Sequence, residues 1–268
     1  MTAAAVPSRL RFFEKTHRYT LDGRPVKGVT TLLSGGLPKP ALVNWAAKSV
    51  AEWVATNGPD TVALLGYNPE TGECEGNLNQ VISELKGKPW EKRDAAAIRG
   101  TDIHNLAEKI VHGEEATIPP HLTDYVQGYV SFIEEYDLIP EYTERPCANR
   151  QWQYAGKFDF IGKVAALGDE RWLLDWKSSK GVYGETALQC AAYANAEFLD
   201  VDDTEVPMPD IDRIGVVHIT EQGTTLHDLG SITEAFKIFS HVAWVAKRTD
   251  DIKHLVGPPI TLPESQAS

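Results

Sequence analysis

Two short apolar segments joined by a tight turn lie in the middle of the sequence. Residues 156–164 read GKFDFIGKV and residues 171–177 read RWLLDWK. Aromatic and branched side chains bounded by turn residues predict the two strands of a hairpin. Each strand nevertheless carries an aspartate, Asp159 or Asp175, where a buried strand would favour an apolar side chain. The pattern therefore predicts two paired strands but does not account for Asp159 and Asp175.

Hairpin geometry brings those acids together. A turn centred near residues 167–168 places Asp159 opposite Asp175 to within about one residue, with Cβ atoms roughly 4.5–5.5 Å apart. Two carboxylates at that distance raise the pKa of one of them unless a cation intervenes. A divalent metal such as Mg²⁺ removes the conflict, and Lys177, on the same strand face as Asp175, can orient a phosphate or a water. This arrangement predicts metal-assisted attack on a phosphodiester.

A lone Asp-x-Lys can also be a solvated ion pair, so features outside the hairpin matter. Gly156 precedes Asp159 and indicates either a close backbone approach or a turn residue. Gln189 and Tyr193 share one face of a predicted helix, where they either bind DNA or form an ordinary polar face. His104 lies on the apolar side of another helix and is either a metal ligand or a core histidine.

Helix and strand patterns alternate along the rest of the chain. A hairpin is predicted over residues 11–33 around the turn dipeptide Asp22-Gly23. Helices are predicted over residues 40–57, 91–112, 121–137, 185–199 and 231–249. Strands are predicted over residues 142–153, 156–164, 171–177 and 211–219, the last paired with 224–229. The order helix, three-stranded meander, helix, strand predicts an α/β fold with a mixed sheet flanked by helices.

The composition limits the classes of protein. A chain of 268 residues with 42% hydrophobic content can bury one substantial core. The formal net charge of -12 argues against non-specific coating of nucleic acid but permits a local basic groove. No segment is apolar enough for a membrane span or a signal peptide, so we expect a cytoplasmic protein that does not contact membranes. Three scattered cysteines indicate reduced thiols rather than a disulfide framework.

Four ordered motifs over about residues 93–220 resemble the PD-(D/E)XK nuclease superfamily, and in particular its RecB-like exonuclease branch. This branch includes phage-type proteins and CRISPR-associated RecB-like nucleases. The motifs are RGTDIH, GKFD, DWK and QCAAY, and the N-terminal VTTLL followed by LVNW is also similar to this branch. The resemblance implies a restriction-endonuclease-like core over residues 93–250. An N-terminal hairpin and helical extension would precede it over residues 1–92, and a C-terminal tail would follow over residues 251–268.

The resemblance also implies roles for individual residues. Asp159, Asp175, His104 and the carbonyl of Trp176 would bind Mg²⁺ or Mn²⁺, and Lys177 would position the attacking water.

Four further residues would bind DNA or support the site: Gly156, Lys157, Gln189 and Tyr193. Glu144, in EYTERP, matches an acidic position of this branch and is either a supporting residue or a surface residue. Cys74, Cys147 and Cys190 do not form the cysteine cluster of the iron–sulphur members, so we expect no iron–sulphur cluster.

The sequence is thus interpreted as a metal-dependent DNA exonuclease acting in recombination, repair or replication. Its substrate would be single-stranded DNA or DNA with a free end, and a homo-oligomer or a recombination or replication partner is an open alternative. A structure-selective endonuclease and a non-catalytic DNA-binding subunit on a nuclease fold are the rival functions. Side chains that could form the DNA groove are Arg145, Arg150, Trp152, Lys157, Lys163, Lys180 and Tyr183.

Overall fold

The computed structural model describes residues 6–260, apart from the side chains of residues 92, 95 and 96. The strands of the described chain are β1 Val6–Pro7, β2 Leu10–Phe13, β3 Arg18–Leu21, β4 Arg24–Gly28, β5 Leu138–Asn149, β6 Tyr154–Val164, β7 Arg171–Lys177, β8 Phe198–Val201, β9 Thr204–Pro207, β10 Arg213–Thr220 and β11 Gly223–Asp228. The α-helices are α1 Val29–Gly36, α2 Pro40–Thr56, α3 Gly58–Leu65, α4 Leu78–Val111, α5 Thr123–Tyr136, α6 Glu185–Ala194 and α7 Ile232–Ile252. These elements form the predicted α/β fold.

Strand β6 is the centre of a mixed, curled sheet. β5 runs antiparallel along one edge of β6, from Leu138 opposite Val164 to Asn149 opposite Tyr154. The other edge is divided between β7, which is antiparallel, and β4, which is parallel and pairs only with the first two residues of β6. Beyond β7 lie β10, which is parallel to it, and then β11. The sheet therefore forks between β7 and β4, along the middle of β6.

Helices cover both faces of this sheet. On one face, apolar side chains of α1, α6 and α7 pack on β6 and β7, with Phe239 and Ala191 against Ile161 and Leu173. On the other face, α4 and α5 pack on Phe160, Trp176 and Val217. A smaller cluster lies between the N-terminal hairpin and β5, β6 and β8. No helix within residues 6–260 combines the length and apolarity needed to cross a membrane.

The N-terminal hairpin is confirmed, but it ends earlier than predicted. Asp22 and Gly23 both have positive φ, 51° and 77°, which is the geometry of a tight turn between β3 and β4. The prediction of strand up to residue 33 is wrong, because α1 begins at Val29. Its Val29, Leu32 and Leu33 are buried in the core beside α6 and α7. Tertiary burial outweighs the β propensity of the VTTLL run.

Helix α4 is much longer than the predicted helix over residues 91–112. It has 34 residues and begins at Leu78, where the side chain of Asn77 accepts hydrogen bonds from the backbone N–H of Asn79 and Gln80. Pro89 lies inside it, at a type of position that usually ends or kinks a helix. The predicted boundary between residues 92 and 93 falls within this helix. The division of the chain into domains stays a prediction.

The predicted helix over residues 185–199 is wrong at its C-terminal end. Helix α6 ends at Ala194, and Phe198 and Leu199 form β8 instead. They pair with Ala148 and Cys147 of β5, so the chain returns to the sheet immediately after the helix. Alanine-rich sequence favours helix, but the pairing with β5 satisfies the backbone of Phe198 and Leu199 in the buried sheet.

The remaining predicted elements are confirmed within a few residues. α2 and α5 agree with the helices predicted over residues 40–57 and 121–137, and α7 extends the last predicted helix to Ile252. β5 begins earlier than predicted, at Leu138, and β10 pairs with β11 as expected. β1 and β9 were not predicted. Part of the predicted tail, residues 261–268, lies outside the described residues.

Candidate functional site

Three carboxylates lie side by side on β5, β6 and β7. The antiparallel register places Phe160 opposite Leu174, and continuing it by one residue places Asp159 beside Asp175. The predicted cross-strand juxtaposition is therefore confirmed. On the other edge of β6, Thr143 is opposite Phe160 and Arg145 is opposite Phe158, so Glu144 lies beside Asp159.

The backbone at Glu144 is unusual in a way that bears on the site. Its φ of 51° is in the left-handed region, which is uncommon for a residue other than glycine. Such conformations persist where the surrounding structure compensates for them, and they cluster at functional sites. The pairing of β5 with β6 also shifts its register between Pro140 and Tyr142, just before this residue. Glu144 is thus placed by local irregularity as well as by strand pairing.

The carboxylates lie where the sheet forks. Asp159 follows the part of β6 that pairs with β4 and precedes the part that pairs with β7. At this point Oδ2 of Asp159 accepts a hydrogen bond of 2.6 Å from the backbone N–H of Trp176. The separation of the strands gives a side chain room inside the sheet. The Asp159 carboxylate uses that room and links β6 to β7.

Asp175 is nearly inaccessible, with 2% of its surface exposed. Its Oδ1 accepts a hydrogen bond of 2.7 Å from Nε2 of Gln189 on α6. Nζ of Lys177 lies 2.6 Å from Oδ2, but Oδ2 accepts no hydrogen bond of good geometry among the described residues. The ammonium neutralises the carboxylate while one buried lone-pair direction remains unsatisfied. That oxygen is available to a further positively charged partner.

His104 reaches the carboxylates from α4. Its Nδ1 lies 3.7 Å from Oδ2 of Asp159. Gly100, one turn earlier, lies against β7's end, where an added Cβ would be 3.5 Å from Oγ of Ser178. That distance is an ordinary van der Waals contact, so a larger residue would also fit at this position.

His104, Glu144 and Asp159 form a group that could hold a metal ion. One ligand atom from each residue lies within 4.8 Å of those of the other two. Asp175, predicted as a ligand, is not one of these three residues. The ligand roles of Asp175 and of the Trp176 carbonyl stay predictions.

Burial and mutual repulsion shift the pKa values of the acids. Desolvation, followed by the charge of Asp175, raises the pKa of Asp159 to about 7. Desolvation and the charge of Asp159 raise the pKa of Glu144, and its ion pair with Lys157, at 2.5 Å, opposes this shift. The protein alone does not supply enough positive charge to keep Asp159 fully ionised at neutral pH.

The basic groups at the site differ in charge. Burial opposes the charged form of Lys177, but the charges of Asp175 and Asp159 outweigh it and raise the pKa of the ammonium. Burial, with a contribution from the Lys177 charge, lowers the pKa of His104. At neutral pH the site therefore combines a fixed ammonium with a neutral imidazole, and the neutral form is the one that ligates metals.

Helix α6 supports the carboxylates from the other side. Nε2 of Gln189, which donates to Asp175, also lies 3.3 Å from the hydroxyl of Tyr193. Tyr193 is only 3% exposed, so it has no surface to offer a DNA base and instead positions Gln189. Gly156 explains how the helix comes this close. A Cβ at that position would lie 2.9 Å from Cδ1 of Tyr193 and closer still to Cε1.

Most of the basic residues suggested for a DNA groove are already paired with acids. Arg145 pairs with Asp202 at 3.0 Å and Lys163 with Asp169 at 3.0 Å, and Arg150 pairs with both Asp22 and Glu205. These three are surface ion pairs and do not form a free basic groove.

The other groove candidates differ in exposure and pairing. Lys157 pairs with Glu144 at the site, and Lys180 and Tyr183 are exposed on the loop after β7. Trp152 is partly exposed in the turn before β6.

Sequence reasoning underestimated Glu144. The register of β5 against β6 is what places Glu144 at the site, since the residues that flank Glu144 pair with the residues that flank Asp159. Among the cysteines, Cys74 is exposed, whereas Cys147 and Cys190 are buried in β5 and α6. The absence of an iron–sulphur cluster stays a prediction.

No protein-family model matches this chain. A search of the curated proteins also finds no match. The function of the site must therefore be argued from its own residues and geometry.

Proposed function

We propose that this chain is a metal-dependent deoxyribonuclease of the PD-(D/E)XK superfamily that acts as an exonuclease. In this proposal α4, β5–β7, α6 and β10 correspond to a restriction-endonuclease-like core. The substrate is DNA with a free end, and the reaction is hydrolysis of a phosphodiester in recombination, repair or replication.

The observation that carries this proposal is the juxtaposition of Asp159, Asp175 and Lys177. Two buried carboxylates lie on paired strands, and an ammonium lies 2.6 Å from one of them. A purely structural ion pair needs one acid and one base, and burying a second acid there costs free energy. Catalytic sites, in contrast, arrange such groups because their shifted pKa values and charges serve the reaction.

The donor atoms fit a hard divalent cation. Oδ2 of Asp175 is buried beside the Lys177 ammonium, and the pKa of Asp159 is raised to about 7 in the protein alone. Asp159, Glu144 and a neutral His104 offer a set of oxygen and imidazole ligands. Carboxylate-rich sites suit Mg²⁺ and Mn²⁺, so one of these is the proposed ion. When bound, the ion would polarise the phosphate and acidify a ligated water.

The chain's own side chains would divide the remaining work. Lys177 would donate a hydrogen bond to the attacking water or to a phosphate oxygen and would offset the charge that develops there. Gln189 holds Asp175 in place, and Tyr193 holds Gln189. His104 and Glu144 would complete the ligand set from opposite sides of Asp159. Support for DNA as the substrate comes from the order of the four motifs along the chain.

Replacing Lys177 by methionine tests this proposal. The variant keeps the length of the side chain and removes the charge, so we expect a loss of at least about a hundredfold in Mg²⁺-dependent release of nucleotides from end-labelled DNA. Asp175→Asn should have an effect at least as large.

Lys163→Met and Asp169→Asn are matched controls. These two residues form an exposed ion pair at the far end of the same hairpin, so both variants should retain full activity. Undiminished nuclease activity in Lys177→Met and Asp175→Asn would refute the assignment. Cleavage of covalently closed circular DNA would instead identify an endonuclease.

A further inference from the structure

A cluster of unpaired cations and exposed tryptophans lies where α7 meets β4 and the turn between β5 and β6. We propose that this basic patch, formed by Lys27, Trp152, Trp244, Lys247 and Arg248, is a second binding site, for single-stranded DNA. The choice of DNA rests on the proposed function, and the patch itself is defined by contacts separate from the carboxylate site.

Each of the three cations of the patch is held in place by a neutral group. Nζ of Lys27 donates a hydrogen bond of 3.0 Å to the carbonyl of Ala246, and Nζ of Lys247 donates to the carbonyl of Trp152. The guanidinium of Arg248 lies 4.5 Å from the ring centroid of Trp244. Each lysine has three N–H donors, so each retains two for another partner.

The positive charge of the patch is not neutralised. Within residues 6–260, no carboxylate forms an ion pair with Lys27, Lys247 or Arg248. Burial and the charges of Lys27 and Arg248 lower the pKa of Lys247, as expected where cations are close together.

Several other basic residues of this acidic chain pair directly with acids. Arg171 and Arg213, for example, pair with Glu141 and Asp228. Asp250 is paired with Lys253 at 2.7 Å, and the charges of Lys253 and, more weakly, of Lys27 lower its pKa. An anionic ligand would therefore find three cations that no acid of the patch already occupies.

The tryptophans decide what kind of anion fits. Trp244 is 56% exposed and Trp152 is 37% exposed, although large aromatic side chains are usually buried. An indole face can stack on any unpaired base, whereas bases inside a duplex do not offer their faces. Cations for phosphates together with indoles for bases match a single strand better than a duplex.

The patch is connected to the carboxylate site by β6. Trp152 lies two residues before this strand, and Asp159 is the sixth residue of the strand. The five residue steps from Tyr154 to Asp159 span about 17 Å, and Trp152 lies two residues further from Asp159, in the turn. A single strand bound at the patch would therefore have a neighbouring segment within reach of the proposed catalytic carboxylates.

Binding of fluorescent oligothymidylate in EDTA tests the patch without cleavage. The triple variant Lys27→Gln, Lys247→Gln, Arg248→Gln removes three charges and keeps hydrogen-bond donors for the two carbonyls. We expect at least about a tenfold loss of affinity and a salt dependence shallower by about two units of slope in the double-logarithmic plot. Trp244→Ala should independently weaken binding about fivefold or more. Lys237→Gln, on the same helix, should bind like the wild type.

The outcomes separate this proposal from the proposed function. If the patch variants have the melting temperature of the wild type and bind oligothymidylate with the same affinity, the proposed binding site is refuted, even if all of them degrade DNA. A wild type that needs the patch for binding but never cleaves would support the patch and refute the nuclease. If the patch variants lose binding to phosphatidylserine vesicles while their binding of oligothymidylate is unchanged, the patch binds membranes and the proposal of a single-stranded DNA site is refuted.

Discussion

At the scale of single residues, the protein groups several carboxylates where burial disfavours their charged form. Asp175 is buried, Asp159 and Glu144 are nearly so, and only Lys177 and Lys157 offset them. Each carboxylate has a different partner: Gln189 and Lys177 for Asp175, the Trp176 N–H for Asp159, and Lys157 for Glu144. The partners fix the positions of the acids without neutralising all of them. A bound cation would complete this arrangement.

The raised pKa of Asp159 predicts a pH-dependent stability of the metal-free protein. Its pKa is about 7 when folded, against an ordinary value of 3.8, so the native state keeps a proton that the unfolded state releases between about pH 4 and pH 7. The stabilisation from this proton is complete below about pH 4 and is lost as the pH rises to about 7. The loss is at most about 1.4 kcal/mol per pH unit.

Chemical unfolding in EDTA measures this effect through a comparison with Asp159→Asn, which cannot ionise. The free energy of unfolding of the wild type should fall relative to that of the variant between pH 4 and pH 7, and the two curves should then run parallel. Asp169→Asn, a change at a fully exposed acid, should not alter the wild-type profile. Parallel curves for wild type and Asp159→Asn throughout would show that Asp159 titrates normally.

At the scale of elements, the site depends on how closely helices approach the forked sheet. α4 carries His104 to Asp159, and Gly156 lets α6 carry Tyr193 and Gln189 to Asp175. The fork between β7 and β4 leaves the middle of β6 without a strand on one edge. α6 covers this region with polar side chains, so the packing of one helix controls the position of a carboxylate.

Gly156→Ala should damage both stability and the site. The added methyl group would overlap the ring of Tyr193, and overpacking of this kind typically costs about 1–3 kcal/mol. Displacement of the ring would also release Gln189 from Asp175, so nuclease activity should fall further than stability alone explains. Thermal unfolding and the nuclease assay measure the two effects.

Gly181→Ala is the matched control, because a Cβ there meets nothing within 4 Å. It should change the free energy of unfolding by less than about 0.5 kcal/mol. The double variant Gly156→Ala, Tyr193→Ala should lose less free energy of unfolding than the sum of the losses in the two single variants, because the clash disappears when the ring is removed. Strict additivity would show that the two residues do not contact each other as described.

At the scale of the whole molecule, distant parts of the chain converge on one group of residues that could hold a metal ion. His104, Glu144 and Asp159 belong to α4, β5 and β6, so the site exists only in the folded protein. Any ion that binds there must therefore stabilise the fold by mass action. The basic patch has the same origin, since β4, the β5–β6 turn and α7 each contribute to it.

Mn²⁺ should raise the melting temperature of the wild type. At a hundred times its dissociation constant, a ligand specific for the native state contributes about 2.7 kcal/mol. For a chain of this size that corresponds to a shift of about 5–10 °C. Asp159→Ala should abolish the shift in a thermal-melt assay, and Asp169→Ala should retain it. An unchanged melting temperature of the wild type in millimolar Mn²⁺ would contradict a metal site.

The sequence alone determined the features that depend on neighbouring residues. Asp22-Gly23 specified a turn. The connection over residues 165–170, which contains a 3₁₀ turn at Ala165–Leu167, is short enough to make β6 and β7 a hairpin in which Asp159 faces Asp175. The periodic helices were predictable for the same local reason. Their ends were less so: the return of Phe198 and Leu199 to the sheet depends on β5, which lies far away in the sequence.

Only the tertiary structure decided which distant groups meet. The pairing of β5 with β6 and the left-handed backbone of Glu144 placed this residue in the group that could hold a metal ion, and α4 brought His104 to the same place. The cations of the basic patch also come from separate segments. Local sequence limits each segment to a few conformations, but contacts between segments are selected by burial of the whole core, which no single stretch encodes.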